Sequence, residues 1–123
     1  VKRVIGLPGQ TIEVRNKRVF RDGALLDEPY AVHASPIVQP GGHGPGSSTR
    51  DNLLPVVVPP DCYFVMGDNR TLGGSEDSRT FGPIPVERIA GRASFVWWPV
   101  VVREEGGFRL NLRALAIPPA YRQ

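Results

Sequence analysis

The stretch TIEVRNKRVFRDG, residues 11–23, decides the fold of this chain. Ile12 and Val14 alternate with charged neighbours, which is the period-two pattern of a strand with one buried face. Asn16 and Lys17 reverse the chain, a second apolar pair returns, and an Asp-Gly turn follows. The stretch therefore predicts meander-like antiparallel β structure.

On either side of this hairpin, short apolar runs separated by Gly and Pro favour further strands over helices. Their positions are residues 1–5, 56–58, 62–66, 91–98 and 108–112. Residues 85–89 are compatible with one helical turn opened by Pro, and the polar, Gly-rich residues 67–82 are expected to be a loop. The predicted fold class is mostly β, a single domain of antiparallel sheets.

A chain of 123 residues fits one domain, so we expect residues 1–123 to share one core. Residues 36–60 are rich in Gly and Pro and predict a long flexible excursion within that domain, and residues 100–123 predict a C-terminal extension. The chain starts at Val1, within a predicted strand, so we expect an upstream part to be missing. No run approaches the ~18 apolar residues of a membrane span, and no signal peptide is present.

Charge and amino-acid composition only weakly distinguish between the classes of function that this chain could have. The net charge is +3, with basic and acidic residues interspersed, which fits a solvated mixed-charge surface or a phosphate-binding one. A nucleic-acid-binding β-barrel ranks last, because aromatic and basic residues are not interleaved. The single cysteine, Cys62, cannot form an intrachain disulfide, and its apolar run predicts a buried strand residue rather than a nucleophile.

Two features carry chemistry. Residues 67–70 (GDNR) and 75–79 (SEDSR) gather many charged and hydroxyl groups, as a buried polar network requires, although an ordered surface loop with exposed ion pairs is also compatible. Lys2 has apolar neighbours, and burial there would lower its pKa from about 10.4 toward the 7 to 8 of a general base. A strand-edge lysine with its amine in water is the alternative.

Residues 1–9 (VKRVIGLPG) resemble the lysine-bearing box of bacterial type I signal peptidases, K-R-x-x-G-x-P-G-D. Residues 67–79 resemble the later box of that family, G-D-N-R-x-x-S-x-D-S-R. Connecting segments are similar too, and the likeness runs in order over about residues 1–99. The resemblance implies an antiparallel β fold and a peptide-bond hydrolase of the Ser/Lys dyad type, with no metal and no cofactor.

This chain departs from the family pattern at three places. Gln10 stands where the family has Asp, and residues 71–74 separate Arg70 from Ser75 where two residues are usual. That longer loop leaves open whether Ser75 or Ser78 meets Lys2. The nucleophile box, S-x-x-P-T, is not found in the 123 residues, so we expect the fragment alone to be inactive.

The resemblance also implies individual roles. Lys2 would be the general base, Ser75 would orient its amine, and Val1 would line the pocket for the residue before the cleaved bond. An ionic scaffold would hold the site, formed by Arg3, Asp68, Arg70, Asp77 and Arg79.

The implied partners are signal peptides of secreted preproteins, on the extracytoplasmic side of the bacterial cytoplasmic membrane, with no nucleic acid. Membrane contact would come from an upstream anchor and from Trp97 and Trp98, whose rings favour the interface or, alternatively, point to the two faces of one strand. A related pilus or conjugation leader peptidase and a non-catalytic peptide-binding domain of the same fold remain alternatives.

Overall fold

The computed structural model describes residues 1–33, 49–71, 74–96, 101–104, 107–110 and 113–114. Within this part of the chain nearly all regular structure is strand. The strands are, in chain order, β1 Arg3–Gly6, β2 Thr11–Arg15, β3 Arg18–Arg21, β4 Ala24–Leu25, β5 Leu53–Val57, β6 Cys62–Met66, β7 Ile84–Pro85, β8 Phe95–Val96, β9 Val101–Glu104, β10 Gly107–Leu110 and β11 Arg113–Ala114. Every strand pair is antiparallel, which confirms the predicted mostly-β class.

The hairpin predicted from residues 11–23 is confirmed. Strands β2 and β3 pair from Ile12 opposite Arg21 to Arg15 opposite Arg18. Asn16 and Lys17 connect them with φ of 48° and 67°, so both take the left-handed conformation of a type I′ turn. That turn matches the right-handed twist of the strands and therefore fixes their register.

Strand β5 completes a four-stranded sheet of order β4-β3-β2-β5. The sequence predicted a strand at residues 56–58, but the strand begins at Leu53, because Val14 pairs opposite it. The excursion predicted over residues 36–60 therefore contains, in its C-terminal part, the edge strand β5 rather than a flexible loop. Residues 36–48 of that excursion lie outside the described residues.

The second sheet has the order β1-β6-β7 and carries the start of the chain. Strand β1 runs antiparallel to β6, with Arg3 opposite Met66 and Val4 opposite Val65. This register places the residue before β1 beside the residue that follows β6. The two sequence boxes therefore meet at one end of the sheet.

The core lies between these strands and consists of buried aliphatic side chains around one aromatic ring. Its members are Ile5, Ile12, Val14, Val19, Val58, Phe64 and Met66, with Leu26, Leu53 and Cys62 packed partly buried against them. Gly6 is required for close packing, because a Cβ on it would lie 2.7 Å from Ile12 Cγ1 and 3.2 Å from Phe64 Cβ. Cys62 is a strand residue as predicted, although it is half-buried.

Residues 67–82 were predicted to be a loop throughout, and this is wrong at its C-terminal end. A one-turn helix, α1, spans Ser78–Phe81, and the Asp77 side chain caps it by accepting a hydrogen bond from the Arg79 N–H. An Asp immediately before a helical turn is a standard N-cap, so the signal was present in the sequence. The predicted turn at residues 85–89 is a 3₁₀ turn, Val86–Arg88.

The chain forms two compact units, Val1–Ile89 and Ala90–Gln123. In the second unit β9 pairs with β10 and β8 pairs with β11. The single domain over residues 1–123 and the extension from residue 100 stay predictions. No described helix combines the length and the apolar character needed to cross a membrane.

We predict that Gly6→Ala lowers the free energy of unfolding by about 1–3 kcal/mol, since the added methyl overlaps Ile12 in a filled core. A double-mutant cycle with Ile12→Ala, read by urea denaturation, tests the cause. Ile12→Ala should cost less in the Gly6→Ala background than in the wild type. Strictly additive effects would show that the two side chains do not collide.

Candidate active site

The start of β1 and the residues after β6 form the candidate site. Because Arg3 lies opposite Met66, Lys2 falls beside Gly67, one step further along the same ladder. The chain then leaves the sheet through residues 67–71 and returns through residues 74–77 to α1. The site is therefore built by sheet pairing from residues more than sixty positions apart.

Lys2 and Ser75 are hydrogen-bonded to each other. The Lys2 Nζ donates to Ser75 Oγ, and Ser75 is 7% exposed whereas Lys2 is exposed. The apolar environment expected for Lys2 is thus not found among the described residues. Its flanking Val1 is fully exposed, and only the tip of the side chain reaches a buried partner.

Gly67 makes room for Ser75. A Cβ on Gly67 would lie 2.5 Å from Ser75 Cβ and closer still to Ser75 Oγ, distances that real atoms do not adopt. No positive φ is involved at Gly67, so the requirement for glycine there is steric rather than conformational. Ser75 occupies the volume that any side chain at position 67 would fill.

The described residues on either side of positions 72 and 73, in the longer loop between Arg70 and Ser75, are hydrogen-bonded to one another. Asn69 Oδ1 accepts from the Thr71 hydroxyl at 2.7 Å and from the Thr71 N–H at 3.2 Å, and the Gly74 N–H donates to Thr71 O at 2.9 Å. These bonds hold Thr71 and Gly74, the described ends of the loop, close to each other. Ser75 therefore keeps its place beside Lys2.

Ser78, the other serine considered for this position, has a different partner. Its hydroxyl oxygen accepts a 2.8 Å hydrogen bond from the Val65 N–H, which fixes the start of α1 to strand β6. Ser78 is buried, 2% exposed. The structure thus brings Ser75 rather than Ser78 to Lys2.

Asp77 and Arg79, which follow Ser75 in the chain, form a buried ion pair. Asp77 is 0% exposed, and its carboxylate accepts from Arg79 Nε at 2.9 Å, from Arg79 Nη2 at 2.8 Å and from the Gly67 N–H at 3.1 Å. Burial alone would raise the pKa of Asp77, but the hydrogen bonds from Arg79 and Gly67 outweigh it and hold the pKa below its usual value. Asp77 is therefore an anion that anchors both ends of the loop.

Arg3 and Arg70 hold the start of the loop, at Asp68 and Gly67. Arg3 donates to both Asp68 carboxylate oxygens at 2.8 Å, a bidentate pair that is partly exposed. The side chain of Arg70 is buried, and its Nε donates to Gly67 O at 2.7 Å. The five residues predicted as an ionic scaffold all lie in this one region.

Sequence reasoning missed two members of this network, Glu28 and Tyr30. Glu28 accepts from Arg70 Nη2 at 2.5 Å and from Arg70 Nη1 at 3.2 Å, and the Tyr30 ring covers the Arg3 guanidinium at 3.8 Å. Their segment lies against the loop because Val32 N–H donates to Asp68 O. The available signal was an acidic and an aromatic residue flanking a proline, in a segment noted only as a connector.

Two predicted contacts stay predictions. The shallow pocket of about 170 Å³ beside β3, β4 and residues 28–33 includes none of Val1, Lys2 and Ser75, and the pocket that we expect Val1 to border stays a prediction. Trp97 and Trp98 lie outside the described residues. The described part of the chain also holds no group of three or more His, Cys, Asp or Glu arranged as metal ligands.

We predict that Asp77→Asn destabilises the protein by about 3–5 kcal/mol at pH 7, because it leaves the buried Arg79 guanidinium without its carboxylate. The neighbouring exposed Glu76→Gln should change stability by less than about 0.5 kcal/mol. Equal effects of the two substitutions in urea denaturation would contradict the assigned burial.

The same pair predicts a pH dependence. Asp77 has a depressed pKa in the folded state, so its stabilisation is complete above the unfolded pKa of about 3.9 and is lost as the pH falls through the folded value. Wild-type stability should decline below about pH 4, and Asp77→Asn should flatten that decline. Parallel pH profiles for the two proteins would show that another carboxylate is responsible.

Comparison with known proteins shows which family this chain resembles. A family model described as "Signal peptidase, peptidase S26" matches residues 1–98. Signal peptidase I S of Bacillus subtilis is 41% identical over 100 residues, covering 80% of this chain and 52% of that protein. Signal peptidase IB of Staphylococcus aureus, strain Mu50, is 39% identical over 104 residues, covering 80% and 53%.

A solved structure agrees with these relatives. The crystal structure of a signal peptidase I from Enterococcus faecalis V583 matches with a TM-score of 0.54 and 32% identity, over 76% of this chain and 80% of that one. The chain spans about half the length of the curated relatives it matches. With the family model matched over residues 1–98 and the β fold shared with a solved member, this chain belongs to the signal peptidase family, peptidase S26.

Proposed function

We propose that this chain carries the general base of a Ser/Lys dyad endopeptidase that removes signal peptides from secreted preproteins. The observation that carries the proposal is the hydrogen bond from Lys2 Nζ to the buried Ser75 Oγ. It fixes a primary amine at an exposed end of the sheet, where a peptide can reach it. The relatives of this chain are named signal peptidases, and we take the substrate class from those names.

Ser75 is the orienting group on this proposal, not the nucleophile. Its 7% exposure favours a supporting role over attack on a peptide, and the family resemblance assigns the orienting role to this serine. The nucleophilic serine belongs to a segment upstream of Lys2, in keeping with the resemblance. The 123 residues alone are then expected to have no peptidase activity.

The proposed reaction has two steps, acylation and deacylation of the nucleophilic serine, and Lys2 returns in each step the proton that it has taken. The uncharged Lys2 amine takes the proton of the nucleophilic serine hydroxyl, the serine oxygen bonds to the scissile carbonyl carbon, and the departing amine takes the proton from Lys2. A water molecule then loses a proton to Lys2 and its oxygen attacks the acyl carbon. The serine oxygen leaves and recovers that proton.

Ser75 supports both halves in the same way. It holds the Lys2 amine in one position by a fixed acceptor, as the third member of a catalytic triad orients its base. Val1, next to the base, is proposed to border the pocket that selects a small side chain before the cleaved bond. We further propose that the enzyme works at the extracytoplasmic face of the bacterial cytoplasmic membrane, where Trp97 and Trp98 contribute to membrane contact.

We predict that Lys2→Ala in the complete enzyme abolishes cleavage of a preprotein with an Ala-x-Ala site, because no base remains. Ser75→Ala should lower kcat by a smaller factor, within the roughly 10²- to 10⁴-fold range of general-base effects, since orientation is lost but the amine is kept. Lys17→Ala, a lysine in the β2–β3 turn, is the matched control and should retain activity. Wild-type turnover by Lys2→Ala would eliminate the proposal.

A second prediction concerns Gly67→Ala. Its methyl group must displace Ser75 from Lys2, so kcat should fall about as far as in Ser75→Ala. Ser75→Gly removes the obstructing atoms, and adding Gly67→Ala to Ser75→Gly should then cost little further activity. Steady-state kinetics of the wild type, Gly67→Ala, Ser75→Ala, Ser75→Gly and the double variant measure this. A full additional loss of kcat in the double variant would refute the steric explanation.

A further inference from the structure

Residues 28–33 lie along the loop of the candidate site as a third element. The Val32 N–H donates to Asp68 O at 2.8 Å, and the Arg70 N–H donates to Val32 O at 2.8 Å. These two bonds form a parallel bridge between Val32 and Asn69. The segment is therefore held at a fixed position beside the loop that carries Asp68 and Arg70.

One branch of contacts runs from this segment to Ser75. The Glu28 carboxylate holds the Arg70 guanidinium in a bidentate pair, with both side chains at least nine-tenths buried. Arg70 in turn donates to Gly67 O at 2.7 Å, and Gly67 packs directly against Ser75. Glu28 thus acts on the backbone that makes room for the Lys2 acceptor.

A second branch runs from the same segment to Lys2. The Tyr30 ring lies over the Arg3 guanidinium, 3.8 Å from Cζ to the ring centroid, while Asp68 holds that guanidinium at its edge. Arg3 is the neighbour of Lys2 and the first residue of β1. Tyr30 thus limits how the backbone that carries the base can move.

The two branches are joined, because the Tyr30 hydroxyl donates to Glu28 Oε1 at 3.1 Å. We propose that Glu28 and Tyr30 are positioning residues that set the Lys2–Ser75 hydrogen bond from both of its ends; this rests on the proposed function of Lys2. Neither residue touches Lys2 or Ser75 among the contacts described, so both act through Arg3, Arg70 and Gly67. A displacement of about 1 Å at a reacting group can cost on the order of 100-fold in rate, so a distant clamp can matter.

The test uses the complete enzyme and compares Tyr30→Leu, Tyr30→Phe and Glu28→Gln by kcat and KM on an Ala-x-Ala preprotein. Tyr30→Leu removes the ring and should lower kcat by roughly 10- to 100-fold with KM nearly unchanged. Tyr30→Phe keeps the ring over Arg3 and should recover most of kcat. Glu28→Gln weakens the hold on Arg70 and should also lower kcat more than KM.

The matched control is Phe20→Leu, because the Phe20 ring lies over the Arg15 guanidinium at 3.7 Å, the same kind of contact away from the site. Phe20→Leu should lower the unfolding midpoint while leaving kcat unchanged. The proposal is overturned if Tyr30→Leu behaves like Phe20→Leu, with a lower unfolding midpoint and an unchanged kcat. A Tyr30→Phe as slow as Tyr30→Leu would support it through the hydroxyl bond to Glu28. Should Tyr30→Leu fail to fold, Glu28→Gln decides alone, and wild-type kcat in it overturns the proposal.

Lys2→Ala in the same assay separates this inference from the function on which it rests. An inactive Lys2→Ala together with wild-type kcat in Tyr30→Leu and Glu28→Gln refutes the positioning role only. An active Lys2→Ala refutes the proposed base, and the positioning role with it.

Discussion

The buried carboxylate of Asp77 is the constraint on which the rest of the site depends. It receives hydrogen bonds from the Gly67 N–H at one end of the loop and from Arg79 in α1 at the other. A carboxylate without water must find partners on several sides, so the loop can close in few ways. Ser75, two residues before Asp77, is carried into place by that closure, and Lys2 meets it because β1 pairs with β6.

Ionic pairs are a costly way to hold a loop, since desolvating two charges can offset the attraction between them. Here each guanidinium presents its planar fork to a carboxylate, which is the geometry that recovers most of the cost. We interpret the network as a source of specificity rather than of net stability. An apolar loop could shift by an ångström and remain packed, whereas Arg70 cannot leave Glu28 and Gly67 O without stranding a buried charge.

Much of this could be predicted from the sequence, and the remainder has identifiable causes. The β2–β3 hairpin is encoded locally by alternation and an Asn-Lys turn, and the two charged boxes indicated where chemistry lies. The α1 turn was missed because the polar character of residues 67–82 outweighed the Asp77 cap signal. Glu28 and Tyr30 were missed because their partners are Arg70 and Arg3, and long-range pairing of charged side chains leaves no periodic pattern. The apolar setting expected for Lys2 is wrong because Lys2 and its neighbour Val1 are both exposed at the start of β1, which apolar residues in the sequence do not reveal.

The Lys2–Ser75 hydrogen bond joins an exposed residue to a buried one, and this asymmetry suits the general base that we propose Lys2 to be. The acceptor is fixed by packing against Gly67, so the amine keeps its direction without being enclosed. In the proposed reaction a peptide approaches Lys2 from its exposed side, while Ser75 remains buried. Because Ser75 is buried, water has little access to the hydroxyl that accepts from Lys2, and because Lys2 is exposed, a substrate has access to its amine. The fold therefore gives the Lys2 amine a fixed acceptor on one side and solvent access on the other, as the proposed role of Lys2 requires.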